Sequence, residues 1–240
     1  MAFYGHWFRP PGAPVKSDGY AWTHRDVTEG FETELLMALW QEAARIAPDR
    51  VPPPAPAETA KATTPHTVQR ALHALSALLP SRFTDRFLIG VLKQVRLYLT
   101  DDDTRERVQR SIADTVTDDT QVLVAHSLGS VIAYEALCAR PEWPVCTLVS
   151  LGSPLGIPRL VYDRLRPAPG TWPAGLREWT NICDRGDVVA LAKELAPLFK
   201  SPDGLAVTDI LIDNGRQAHD LVPHLTAAET GAAVAAGLLP

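Results

Sequence analysis

Cysteine is scarce in this chain: its 240 residues hold three, Cys138, Cys146 and Cys183. They lie in or beside apolar stretches without metal-ligand spacing, so buried reduced thiols are expected and no metal or cofactor site. A basic excess is also missing. The net charge is -5, which gives no surface suited to nucleic acid or to an anionic membrane. No apolar run approaches the length of a membrane-spanning helix. Met1 to Pro10 mixes aromatic, His, Arg and Pro residues where a signal peptide would place charge and then an apolar block. A soluble, cytoplasmic protein is the expectation. One further absence is local: the dipeptide His-Gly occurs nowhere in the chain.

What is present suits an α/β protein. Hydrophobic residues make up 46% of the chain, enough for one domain spanning residues 1–240 with a sizeable core. Ala2-Phe3-Tyr4-Gly5 reads as a short strand and is followed by a Pro- and Gly-rich loop through Gly19. From Thr28 to Ala47 apolar residues recur at helical spacing (Phe31, Leu35, Leu36, Leu39, Trp40, Ala43, Ile46), and Pro48 ends the pattern. Val51 to Ala57 holds four prolines and reads as a stiff, exposed connection. Two amphipathic segments follow, Thr67 to Leu79 and Phe83 to Leu99, broken at Pro80-Ser81. The stretch 60–100 is either a helical lid over an apolar pocket or a pair of ordinary helices packed on a sheet. Asp101-Asp102-Asp103 precedes another helical pattern, where carboxylates cap the helix and favour its dipole.

The densest information lies at Ala125-His126-Ser127-Leu128-Gly129. An apolar run, Val122-Leu123-Val124, comes before it and a helical pattern, Val131 to Leu137, after it. Strand, sharp turn with serine at the apex, helix: this is the context that exposes a serine as a nucleophile. Small residues are needed two before and two after the serine, and Ala125 and Gly129 supply them. The N–H of Leu128 would face the same space and receive a developing oxyanion. An ordinary strand-to-helix turn is the competing reading.

Three further strands are expected at Val145 to Leu151, Glu178 to Cys183 and Val207 to Ile212. Alternation with helices implies a mainly parallel sheet, whose reactive groups gather at the carboxyl ends of its strands. Asp184 and Asp187 follow the second of these strands, and His219 follows the third. The order Ser, Asp, His is the one expected with a nucleophile turn of this kind. Asp187 is preferred as the acid because Val188 and Val189 anchor its loop, while Asp184 caps the turn. His219 is preferred over His224. The latter lies just before Thr226, read as the N-cap of a terminal helix Ala227 to Leu238 with Glu229 completing a capping box. His126 is read as a pocket-wall or core residue. His6, His24, His66 and His73 have surface or core roles by default.

The run Val122 to Leu137, the later Leu151-Gly152-Ser153-Pro154-Leu155-Gly156 and the segment Asn181 to Val189 together resemble the α/β-hydrolase superfamily, nearest to bacterial lipase-like or esterase-like serine hydrolases. The resemblance spans nearly the whole chain, and the nucleophile segment is its most specific part. It implies a Ser127-His219-Asp187 triad acting on an ester, thioester or related small-molecule acyl group. Such proteins usually carry a His-Gly loop that supplies a second oxyanion donor. Its lack implies either an N-terminally shortened fold or a protein that works without that donor. Loss of one donor typically costs ~100-fold to ~1000-fold in turnover.

A serine hydrolase is therefore the leading expectation. An acyltransferase or cyclase, or a lyase or isomerase using the same pocket, is the alternative, and a non-catalytic binding protein comes third. Oligomeric state is not specified by the sequence.

Overall fold

A computed structural model describes residues 5–8, 22–56, 64–78 and 85–238. Most of the expected first strand and of the loop through Gly19, and the break at Pro80-Ser81, lie outside them. Gly5, placed in that strand, instead opens a 3-10 turn, Gly5–Phe8. The described residues fall into two compact units, one up to Glu106 and one from Arg107 onward.

The first unit is helical. Helix α1 (Phe31–Ile46) buries Leu35, Leu36, Leu39, Trp40 and Ala43, the stripe that its spacing predicts. Helix α2 (Pro65–Ser76) starts at Thr64, whose hydroxyl accepts from the Thr67 N–H at 3.3 Å, with proline at the first helical position. Helix α3 (Asp85–Thr100) buries Leu88, Ile89, Leu92, Val95, Tyr98 and Leu99. Glu32 of α1 is fully buried and accepts from Arg96 Nε at 2.7 Å and Lys93 Nζ at 3.3 Å, which ties α1 to α3. The proline-rich connection is only partly exposed: Val51 is buried, and the Pro52 carbonyl accepts from the Trp40 indole at 3.0 Å. Helix α4 (Asp102–Ala113) crosses from the first unit into the second and is capped by Asp101, which accepts from the Thr104 N–H at 2.9 Å.

The second unit is an α/β fold. Strands β1 (Val122–His126), β2 (Thr147–Leu151), β3 (Glu178–Asp184) and β4 (Thr208–Ile212) form one parallel sheet in sequence order. The register pairs His126 with Leu151, Leu151 with Ile182, and Ile182 with Ile210. Side chains alternate across each strand. Val149, Leu151, Ile182 and Ile212 thus share one face and pack against Ala233 and Val234 of the terminal helix α7 (Ala228–Gly237). Trp179 points to the other face, where its ring lies 5.6 Å from Tyr134 and 4.9 Å from Phe199. Tyr134 belongs to helix α5 (Leu128–Ala139), which is apolar almost all round and buries residues 130–137. The sheet is thereby flanked by helices.

The C-terminal region corrects one expectation. Thr226 does not cap the last helix: it closes a separate short helix, α6 (Leu221–Thr226), and its hydroxyl donates back to the Val222 carbonyl at 2.9 Å. Helix α7 has Ala227 at its N-cap position and no side-chain cap. A threonine bonded to the carbonyl four residues earlier is used by its own helix. His224 accordingly sits inside α6 and is buried.

Candidate active site

All four strands deliver residues to the carboxyl end of the sheet. Ser127 follows β1 directly, Gly152 follows β2, Asp187 lies three residues past β3, and His219 lies on the loop after β4.

Ser127 has φ 52° and ψ -130°, an unusual conformation for a residue with a Cβ. Such backbone costs about 1–3 kcal/mol and persists only where its surroundings hold it. Here the Ser127 N–H donates to the Leu151 carbonyl at 2.9 Å, continuing the β1–β2 ladder. Its carbonyl accepts from both the N–H and the hydroxyl of Ser130, at 2.9 and 2.6 Å. A carbonyl only accepts, so the Ser130 hydroxyl proton is committed to it. Ser130 Oγ must then accept from Ser153 Oγ, 2.7 Å away, and Ser153 accepts in turn from the Leu155 N–H at 3.3 Å. Ser130 and Ser153 are both fully buried. This one-way chain fastens the turn to the segment after β2.

His219 bridges the other two groups. Its Nδ1 is 2.8 Å from Asp187 Oδ2, and its Nε2 is 3.0 Å from Ser127 Oγ. An ionised carboxylate can only accept, so Nδ1 carries the proton and Nε2 presents its lone pair to the serine hydroxyl. Asp187 is fully buried, and Oδ1 accepts from the Val189 and Ala190 N–H groups at 2.8 and 3.3 Å. Burial pushes its pKa up, but the His219 imidazole and these amides outweigh burial and hold the carboxyl below its usual range. Of the two valines expected to anchor this loop, Val188 is buried and Val189 is half-buried. Gly152 adopts φ 51° beside the Asp187 and His219 side chains.

The competing candidates lie elsewhere. Asp184 accepts from the N–H groups of Gly186, at 2.6 Å, and Asn214, so it fastens the two loops after β3 and β4. Burial pushes its pKa up. His224 donates from Nδ1 to the Asp220 carbonyl at 2.8 Å. Burial depresses its pKa. His126 is half-buried, and its Nε2 is 2.9 Å from the main-chain oxygen of His219. No spacing rule signals that contact, since the residues are 93 positions apart. His6, His66 and His73 are exposed and His24 is half-buried. Leu128 is the first residue of α5, so its N–H is among those that have no acceptor within the helix.

Cys183 is buried, Cys138 and Cys146 are half-buried, and all three are free thiols. Burial pushes Cys138 and Cys183 up to about 12, which removes them as nucleophiles at neutral pH. Among the described residues no group of three or more His, Cys, Asp or Glu is placed to hold a metal ion. Among the same residues no helix is long and apolar enough to cross a membrane.

Compared with protein families, curated proteins and solved structures, the chain finds no match in any of the three. The α/β fold, a parallel four-stranded sheet flanked by helices, is compatible with an α/β-hydrolase.

Proposed function

We propose that the protein is a serine hydrolase of α/β-hydrolase type that cleaves an ester or thioester through an acyl-enzyme. The observation that carries this reading is the chain of two hydrogen bonds, 3.0 Å from Ser127 Oγ to His219 Nε2 and 2.8 Å from His219 Nδ1 to Asp187, ending on a serine with positive φ. In the proposed reaction His219 Nε2 takes the hydroxyl proton as Ser127 Oγ attacks the acyl carbon. Asp187 keeps the imidazole in the required tautomer and stabilises the imidazolium. The Leu128 N–H, at the positive end of α5, receives the oxyanion. The imidazolium then protonates the departing alcohol or thiol. Water attacks the acyl-enzyme with His219 again as base, which returns the acid and free Ser127.

Labelling with a fluorophosphonate probe tests the reading. Folded wild type should label, and Ser127→Ala and His219→Ala should not. Absence of labelling in folded wild type would overturn it. A series of nitrophenyl esters of increasing acyl length then measures pocket depth. Preference for the shortest acyl groups throughout would remove the reading of a lipid-sized pocket.

A further inference from the structure

The nucleophile and the base come from opposite edges of the sheet. Ser127 ends β1, and His219 lies on the loop after β4, with β2 and β3 between them. Two hydrogen bonds join the end of β1 to His219 itself. One is Ser127 Oγ to His219 Nε2, which any attack by the serine must break. The other is His126 Nε2 to the His219 main-chain oxygen at 2.9 Å, which no step of the reaction touches.

We propose that His126 is a positioning residue for His219: its Nε2–H holds the His219 carbonyl and so keeps the imidazole in reach of both Ser127 and Asp187 throughout turnover. The proposal rests on the serine-hydrolase reading of the site. Direction follows from the acceptor, since a carbonyl oxygen cannot donate and the proton must be on His126. The two rings stand 4.8 Å apart, close enough for a charge on one to oppose a charge on the other. Burial, then the neighbouring His219 and His224, pushes His126 down to about 3, so it stays neutral while His219 takes up the serine proton. A neutral imidazole has one N–H, and here it is fully used. Nucleophile and clamp are adjacent in sequence, so one strand end sets both.

The test compares wild type with His126→Phe, which keeps a ring but no donor, and His126→Gln, whose amide restores a donor at similar reach. Melting temperature and far-UV circular dichroism establish folding of each. His126→Phe should react with a fluorophosphonate as much as about 100-fold more slowly. Its kcat on a nitrophenyl ester should fall with little change in KM, and His126→Gln should recover most of the rate. The proton on His219 Nδ1 should give a low-field NMR signal in wild type and His126→Gln and a broadened or absent one in His126→Phe. Wild-type reaction rates in folded His126→Phe with that signal retained would overturn the proposal. So would equal impairment of His126→Gln and His126→Phe. Should wild type fail to label at all, the hydrolase reading falls, while the low-field signal across the three proteins still decides whether His126 holds His219.

Discussion

Gly152 leaves no room between itself and Asp187: a Cβ at this position would stand 2.9 Å from the Asp187 Oδ2 and 3.3 Å from the His219 Nδ1. Its φ of 51° adds a second penalty for any residue with a side chain, about 1–2 kcal/mol. Gly152→Ala should therefore displace the Asp187–His219 pair. Fluorophosphonate labelling and the melting temperature should both fall. A variant that labels normally would show that the carboxylate can move aside.

Ser130 and Ser153 should behave as a coupled pair. Removing either hydroxyl leaves a buried neighbour short of a partner, at a cost of about 1–3 kcal/mol. Urea unfolding of Ser130→Ala, Ser153→Ala and the double variant forms a cycle. The double variant should lose clearly less than the sum of the singles, because the second substitution removes a partner already stranded. Strict additivity would mean that the 2.7 Å contact contributes nothing by itself.

Acid should destabilise the fold from two sides. His126 is pushed down to about 3 from its ordinary 6.5, so below pH 6.5 the unfolded chain binds a proton that the folded chain refuses. Stability then falls with pH by up to ~1.4 kcal/mol per unit until about pH 3. His224, also depressed by burial, acts in the same direction. Asp187 is held below 3.8, so its contribution is complete above that value and is lost as pH falls through its folded pKa. Melting temperatures between pH 7 and pH 4 should fall more gently for His126→Gln than for wild type. Parallel curves would assign the acid sensitivity to other groups.

The four strands of the sheet are legible because each apolar run is short and bounded by turn residues, and the structure places them within two residues of where the sequence does, whereas Gly5 of the strand expected at Ala2 to Gly5 opens a 3-10 turn. The rule that reactive groups follow strand ends also located residues that the fold brings together: Ser127, Asp187 and His219 are joined by hydrogen bonds. What was not legible depends on contacts between distant parts of the chain. Glu32 looks like an ordinary exposed acid on α1 until α3 supplies Arg96 and Lys93, more than sixty positions later. Gly152 carries no local sign of the carboxylate beside it. Thr226 misled because Thr-Ala-Ala-Glu satisfies the capping pattern, while the turn before it is already helical and takes the hydroxyl for its own carbonyl.

Asp184 and Asp187 are three positions apart and both buried, yet they should respond oppositely to amidation. Asp187 must accept the Nδ1 proton to keep the His219 lone pair facing Ser127. An asparagine there can offer N–H to Nδ1, which sends the proton to Nε2 and removes the base; where a catalytic aspartate of this type was so replaced, kcat fell by ~10⁴-fold. Asp187→Asn should therefore label at a rate reduced on that order while still folding. Asp184 only accepts from the backbone N–H groups of Gly186 and Asn214, and an amide oxygen can replace one of those bonds. Asp184→Asn should lower the melting temperature modestly, by a loss of about 1–2 kcal/mol, and keep a labelling rate near wild type. The two rates separate the roles: a strong loss in Asp184→Asn with an active Asp187→Asn would transfer the acid's role to Asp184 and require a different orientation of the His219 loop.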